Sequence, residues 1–401
     1  MISVEDARAR ILANLSPTPA EIVPLATAWN RVCAMPVQAR LTQPPQDVSA
    51  MDGYALRAAD GGVGATLRVV GSAPAGHPWA GTLGAGEALR LFTGSVVPAG
   101  ADSILLQEDA ERSGDDVRVK EAVEKGRHIR RAGQDFAAGD TLVASGTLLN
   151  ARNVGLIAAG NNPWVAVHRR PRVAILATGD EIALPGDPIP PGGIVSSNSH
   201  ALAALVQACG GEAVVLPIAV DDRAAIMAAA DTVHGMDLLV TSGGASVGDH
   251  DLVQEALSAR GLVVDFWQIA MRPGKPLMHG RLGPVPMLGL PGNPVSSLVC
   301  AILFLLPALR RLSGLPGDAP PSVAVRLGAP LPANDRRADH LRATLTTADD
   351  GSLVATAFAR QDSSMLRTLA QADALILRPP HAPALDAGAS VAVIRLDTLG
   401  L

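Results

Sequence analysis

The stretch "RVAILATGDE", residues 172–181, decides the fold. After Arg172 every side chain through Ala177 is apolar, with no polar alternation, as in a strand covered on both faces. The run then stops on a glycine and two acids. Downstream the same rhythm recurs. "NSHALAALVQACGG" reads as a helix closing on glycines, "EAVVLPIAV" as a strand, "DRAAIMAAADTVHG" as a helix and "DLLVTSGG" as a strand. "DHDLVQEALSARG" reads as a helix, "VPMLGLPG" is strand-like, and a helix over 295–312 completes the unit. Such alternation predicts a doubly wound α/β domain with a largely parallel sheet over residues 171–316.

Working outward, residues 49–139 change character. "ATLRVVGSA", "EALRLFTG", "SILLQEDA" and "DVRVKEAV" are short β-like runs separated by turn residues, which predicts a β-rich unit. The N-terminus, "MISVEDARARILANL", reads as an amphipathic helix capped by Ser3 and Asp6. It lacks the basic start and long apolar core of a signal peptide. Beyond the linker-like "SGLPGDAPPS", residues 317–401 return to β patterning. There "HLRATLTTADDGSLVATAF" predicts a hairpin turning at Asp349–Asp350–Gly351, within a small sheet or barrel.

Composition narrows the function. The 401 residues carry a net charge of −5 and only ten aromatics (four Trp, one Tyr, five Phe). Nucleic-acid binding rests on basic surfaces and stacking platforms, so it is not expected. Cys33, Cys209 and Cys300 match no zinc spacing, and a reducing cytoplasm fits them. The longest apolar run, 295–309, is short for a bilayer and contains Pro307, so a buried helix is expected and no membrane span. There is no Walker A lysine motif and no G-x-S-x-G elbow.

Open α/β sheets bind ligands at the carboxyl ends of their strands, and three of these ends carry unusual residues. "ATGDEI" presents Asp180 and Glu181. "TSGGASVGDHD", residues 241–251, places Ser242, Gly243 and Gly244 as a backbone N–H concavity for an oxyanion, followed by Asp249 and Asp251. Anion cradle and carboxylates conflict unless a Mg²⁺ ion bridges them, because Mg²⁺ combines one or two carboxylates with substrate phosphates. "LPGNPVSS" sets Pro291, Gly292 and Asn293 before Pro294, which suits the first helical position. Asn293 is placed to cap that helix, whose N-terminus favours phosphate. In "MRPGKPLMH", Lys275 offers a point charge to the same rim and Arg272 a planar fork. Of Asp221 and Asp222, at least one is expected merely to cap the next helix. Arg127, Arg130 and Arg131 form a local basic cluster, either a solvated face or an anion contact.

"SAMDGYA", "FTGSVVPAGAD", "IRRAGQD", "ATGDE", "SGGASVGDHD", "PGKP" and "GLPGNP", in this order over residues 49–297, resemble the molybdopterin molybdenumtransferase family: bacterial MoeA proteins and the gephyrin E domain. The resemblance implies an elongated homodimer. Each chain would hold a discontinuous linker domain (1–48 plus 140–170), a β-rich domain (49–139), the α/β molybdopterin-binding domain and a C-terminal β-barrel. It implies insertion of molybdate into adenylylated molybdopterin with Mg²⁺-dependent release of AMP, and contact with other proteins of molybdenum cofactor biosynthesis. Soft dithiolene sulfurs of the pterin, rather than protein cysteines, would take the metal.

Carried over by motif, the catalytic positions are Asp52, Thr93, Asp135, Glu181, Asp251 and Lys275. Ligand contacts are Ser242, Gly243, Gly244, Arg272, Lys275, Pro291, Gly292 and Asn293, with Arg342 and Ser364 from the C-terminal part. Metal ligands are Glu181, Asp222, Asp249 and Asp251. Two departures stand out: Arg272 replaces a lysine common before "PGK", and Gln134 replaces a residue often acidic. Alternatives of other classes are a pterin-binding scaffold or carrier without catalysis, and a molybdopterin adenylyltransferase. The β units beside the α/β domain favour the insertion step.

Overall fold

The computed structural model describes residues 1–243 and 252–400. Its central sheet runs, edge to edge, Glu212–Val215, Arg172–Ala177, Leu238–Ser242, Val285–Leu290, Pro276–Leu282 and Leu262–Gln268. The first four strands are parallel, as their unbroken apolar pattern predicts. The last two are antiparallel and escape the strand–helix rhythm. Pro276–Leu282 folds back on Val285–Leu290 because Gly283, at φ +57°, turns the chain between paired Leu282 and Val285, and Leu262–Gln268 pairs along its other edge. The edge strand beginning at Glu212 ends at Val215, earlier than "EAVVLPIAV" suggests. Pro217 has no N–H for a ladder, and past it an isolated bridge from Thr178 to Ala219 takes up the pairing.

Helices cover both faces. On one, Val4, Ala7 and Ile11 of the first helix, Val4–Ala13, pack with Leu202, Leu205 and the long apolar helix against Val173, Ile175 and Val240. That helix begins at Ser3, whose side chain accepts from the Asp6 N–H at 3.0 Å. On the other face, Ile226, Ala230, Val253 and Leu257 cover Ala174, Leu176 and Leu239. Each fully buried Leu, Ile or Val contributes roughly 1.5–3 kcal/mol relative to exposure, so these faces dominate the stability.

The helix Pro294–Leu312 is long and apolar enough to cross a membrane, but 83% of its most apolar 18-residue stretch is buried inside the protein. Its Ala301–Leu305 turn is a π-helix, the wide geometry that accommodates Pro307 without the missing N–H.

The β-rich region is a sheet in the order Ser103–Leu106, Gly53–Leu56, Glu87–Leu91, Thr66–Ala73, Asp116–Val119, Ala110–Ser113. Gly53 is required there. A Cβ at this position would lie 2.0 Å from the Leu105 carbonyl oxygen on the neighbouring strand. Below it, the strand Ala20–Pro24 pairs with Trp164–His168, and Val37–Gln38 with Thr141–Val143, around a core of Cys33, Leu149, Ile157 and Val167. The chain therefore leaves this layer and returns to it.

The C-terminal strands Ser322–Leu327, Ala338–Thr347, Leu353–Ala357, Ala374–Arg378 and Ser390–Arg395 close into a barrel, because Ala338–Thr347 pairs with both Leu353–Ala357 and Ala374–Arg378. The hairpin turns through Gly351 at φ +80°. The barrel is sewn to the α/β region by Met271–Arg272, which pairs with Ala338 and Asp339.

Candidate active site

One cleft of about 950 Å³ lies at the carboxyl ends of the parallel strands. Thr178 and Glu181 follow the first strand, Asp221 the edge strand, Ser242 and Gly243 the third, and Pro291 to Pro294 the fourth. The three strand-end motifs thus meet in one place, as a doubly wound sheet requires.

Gly243 sits at φ +96°, a conformation L side chains rarely adopt, and a Cβ there would come 3.0 Å from the Thr178 carbonyl oxygen. The turn after Ser242 is therefore pinned against the turn after Ala177. Gly244, Asp249 and Asp251 lie outside the described residues.

The helix at Pro294 opens onto the cleft with proline at its start. Asn293 stands at the cap position without capping. Instead its Nδ2 donates to Ser363 Oγ at 3.1 Å, and the Val295 N–H donates to the Ser363 carbonyl at 3.1 Å. A loop of the barrel thus supplies the cap that Asn293 was expected to give, and the same loop brings Ser364 to the cleft.

The acids need one correction. Asp222 caps the next helix, its carboxylate accepting from the Ala225 N–H at 2.9 Å, whereas Asp221 lines the cleft. The Asp221 N–H donates to Asp180 Oδ1 at 2.8 Å, drawing the two strand ends together. The Asp221 carboxyl is raised above the ordinary range, first by partial burial and then by the negative charges of Asp180 and Glu181. Such a group of carboxylates favours a cation. Among the described residues no three acid, His or Cys side chains converge closely enough to hold a metal ion by themselves.

Lys275 immediately precedes Pro276, which lines the cleft; its half-buried side chain makes no ion pair among the described residues. Arg272 does not serve the rim. Its Nε donates to Asp339 Oδ1 at 2.8 Å, a second bond joins Nη2 to the other carboxylate oxygen, and Asp335 stands 3.6 Å away. The planar fork clamps the barrel to the α/β region. Arg342 is likewise turned away from the role expected of it. It is buried, with Nε on Gln361 Oε1 at 3.1 Å and Nη1 on the Met365 carbonyl at 3.3 Å, so it braces the loop that carries Ser364.

Sequence reasoning missed Asn198. Its Nδ2 donates to Ser242 Oγ at 2.8 Å and to the Gly292 carbonyl at 2.7 Å, joining two of the three turns. Only its place as the first residue of the helix Asn198–Ala208, at the rim of the sheet, hinted at it.

Asp52, Thr93 and Asp135 do not line the cleft of their own chain. Asp52 and Thr93 nevertheless meet: Asp52 Oδ1 accepts from the Thr93 N–H at 2.7 Å and from its hydroxyl at 2.8 Å. These bonds, with a smaller effect of Arg90, hold the Asp52 carboxyl below the usual range. Of the basic cluster, Arg131 pairs with Asp47 and Arg127 with Glu121 at 2.9 Å.

Residues 2–160 match the MoeA N-terminal region (domain I and II), 174–311 the "Probable molybdopterin binding domain", and 324–396 the MoeA C-terminal region (domain IV). The chain is 37% identical to the molybdopterin molybdenumtransferase of Nostoc sp., over 99% of this chain and 94% of the relative. It is also 37% identical to molybdopterin molybdenumtransferase 2 of Mycobacterium tuberculosis, over 92% and 94%. The crystal structure of a MoeA protein from Pyrococcus horikoshii matches with a TM-score of 0.86 at 30% identity, covering 98% of this chain and 99% of that one. Sequence motifs, domain order and fold agree: this chain belongs to the MoeA family of molybdopterin molybdenumtransferases.

Proposed function

We propose that this chain inserts molybdate into adenylylated molybdopterin and releases AMP. The observation that carries this reading is the convergence of a glycine turn, a helix N-terminus and an acidic edge in one cleft. Ser242, Gly243 and the turn at Pro291–Pro294 suit the phosphates of a nucleotide-bearing substrate. Lys275 adds a positive charge beside them, and Ser364 a hydroxyl from the barrel.

Mg²⁺ fits the acidic edge, since the donors are all oxygen and the like charges around Asp221 are relieved by a cation. Glu181 and Asp221 would hold it together with substrate oxygens, and Asp249 and Asp251 complete the proposed set. When bound, the ion neutralises phosphate charge. Molybdate itself enters as substrate.

Asp52, Thr93 and Asp135 act, in this reading, in the cleft of a second copy of the chain. The homodimer is supported by exposed Ile22, Trp29, Met35 and Trp164, at 73%, 64%, 61% and 55% exposure, all in the layer that joins the β-rich region to the rest. Large apolar side chains left open in one layer mark an association surface. The cytoplasm, with its reduced thiols, is the proposed compartment.

The test combines the purified protein with adenylylated molybdopterin, molybdate and Mg²⁺. Release of AMP over several turnovers is expected. Unchanged pterin refutes the activity, and binding without turnover makes the chain a carrier. ATP consumption with unmodified molybdopterin would instead mark an adenylyltransferase. Mixing inactive Asp52→Asn and Glu181→Gln chains should restore activity; a mixture that stays dead argues against shared clefts.

A further inference from the structure

The chain contains a single tyrosine and five phenylalanines, yet Tyr54 and Phe92 both stack on Arg90. The guanidinium carbon lies 5.2 Å from the Tyr54 ring centre and 4.8 Å from that of Phe92. A cation held over two rings is worth about 0.5–1 kcal/mol per contact at exposed sites and fixes the plane of the fork. The fork is also bonded in that plane. Nη1 donates to the Gly53 carbonyl at 3.0 Å and Nη2 to Gln107 Oε1 at 2.6 Å.

These four partners flank the two groups of interest. Gly53 and Tyr54 directly follow Asp52, and Phe92 directly precedes Thr93. The Gln107 N–H donates to the Asp52 carbonyl at 3.2 Å. Asp52 immediately precedes one strand, Thr93 follows the end of its neighbour, and Arg90 spans both.

We infer that Arg90 is a positioning residue that holds Asp52 and Thr93 in one geometry for the reaction. It does not bond either side chain. It sets the distance between their backbones, so that Asp52 Oδ1 meets the Thr93 N–H and hydroxyl together and Oδ2 stays available. Lysine would keep the charge but not the plane, the two-ring stack or the paired donors. The inference rests on the reading of Asp52 and Thr93 as reaction groups.

Two measurements separate the inference from that reading. Amide hydrogen exchange at Thr93 reports its bond to Asp52 without any substrate. Arg90→Lys and Arg90→Ala should speed this exchange by about tenfold while global melting moves little. In the molybdate-insertion assay, Arg90→Lys should lower kcat by about tenfold, with KM for the pterin within about twofold, because misplacement of a reacting group costs rate rather than binding. In a Thr93→Ala background the further loss from Arg90→Lys should shrink to less than about twofold, since the hydroxyl that Arg90 helps to place is already gone and only the backbone N–H bond remains. Wild-type exchange at Thr93 in folded Arg90→Ala overturns the inference, and so does a kcat loss fully additive with Thr93→Ala. Full activity in Asp52→Asn, with faster Thr93 exchange in Arg90→Ala, would strike the catalytic reading while upholding the mechanical link.

Discussion

The cleft of the α/β region and the Asp52–Thr93 pair of the β-rich region are built on different principles. The cleft is made of backbone: turns at strand ends, a glycine at positive φ and the start of a long helix. The pair is made of side chains held by other side chains, with Arg90 between two rings. The first kind of site fails most severely when the backbone is disturbed, and loses less when a neighbouring side chain is changed. The second fails at a conservative substitution such as Arg to Lys.

The largest effects test whether both sites belong to one reaction. Glu181→Gln and Asp52→Asn should each reduce turnover by about a hundredfold or more, the range for a charged reaction group. Loss in only one of them would confine the chemistry to that region.

Next come the two glycines. Gly53→Ala should destabilise by about 3 kcal/mol, because its Cβ would strike the Leu105 carbonyl of a paired strand. Gly243→Ala should cost about 1–3 kcal/mol in backbone strain and weaken nucleotide binding, while leaving the β-rich sheet unaffected. Chemical denaturation and binding titrations of the two variants would show whether the regions respond independently.

Asn198→Ala is expected to have a smaller effect. It leaves the Gly292 carbonyl without one donor, roughly 1–3 kcal/mol if that group stays dry and less where water reaches it. The loss should appear mainly as weaker substrate binding, with near-native melting. Wild-type binding would mean that the turns hold their positions without this tie.

The smallest effect is one of pH. Asp221 has a raised pKa, so the folded chain binds its proton more tightly than the unfolded one. Its contribution is fully present below the unfolded carboxylate range and is lost as pH rises through the folded value. Asp221→Asn should therefore melt slightly higher than wild type at neutral pH, by less than about 0.5 kcal/mol for so exposed a position, and show no gain in acid. Mg²⁺ should erase the difference by stabilising only the wild type.

Legibility in the sequence followed the same division. "RVAILAT", "DLLVTSGG" and "LPGNP" announce their strands and turns because burial on both faces removes alternation, and proline and glycine mark backbone geometry directly. The antiparallel strands Leu262–Gln268 and Pro276–Leu282 gave no such signal, since they interrupt the strand–helix rhythm. Asp221 and Asp222 could not be told apart by spacing. Which one caps is settled by the approach of the chain to the helix, and the Ala225 N–H takes Asp222. Arg272 and Arg342 look like ligand contacts in one dimension. Their partners, Asp339 and Gln361, lie 67 and 19 residues away, beyond any local pattern. The Asp52–Thr93 pair spans 41 residues and came only from family resemblance.

The bridge between Gln43 and Phe136 has an architectural consequence. The chain departs toward the β-rich sheet and comes home at almost the same point, so everything between is a cassette plugged in through one socket. Exchanging that cassette with a relative's would transplant Asp52, Thr93 and Arg90 together while leaving every strand of the central sheet in register. Evolution of this half of the chemistry need not disturb the other.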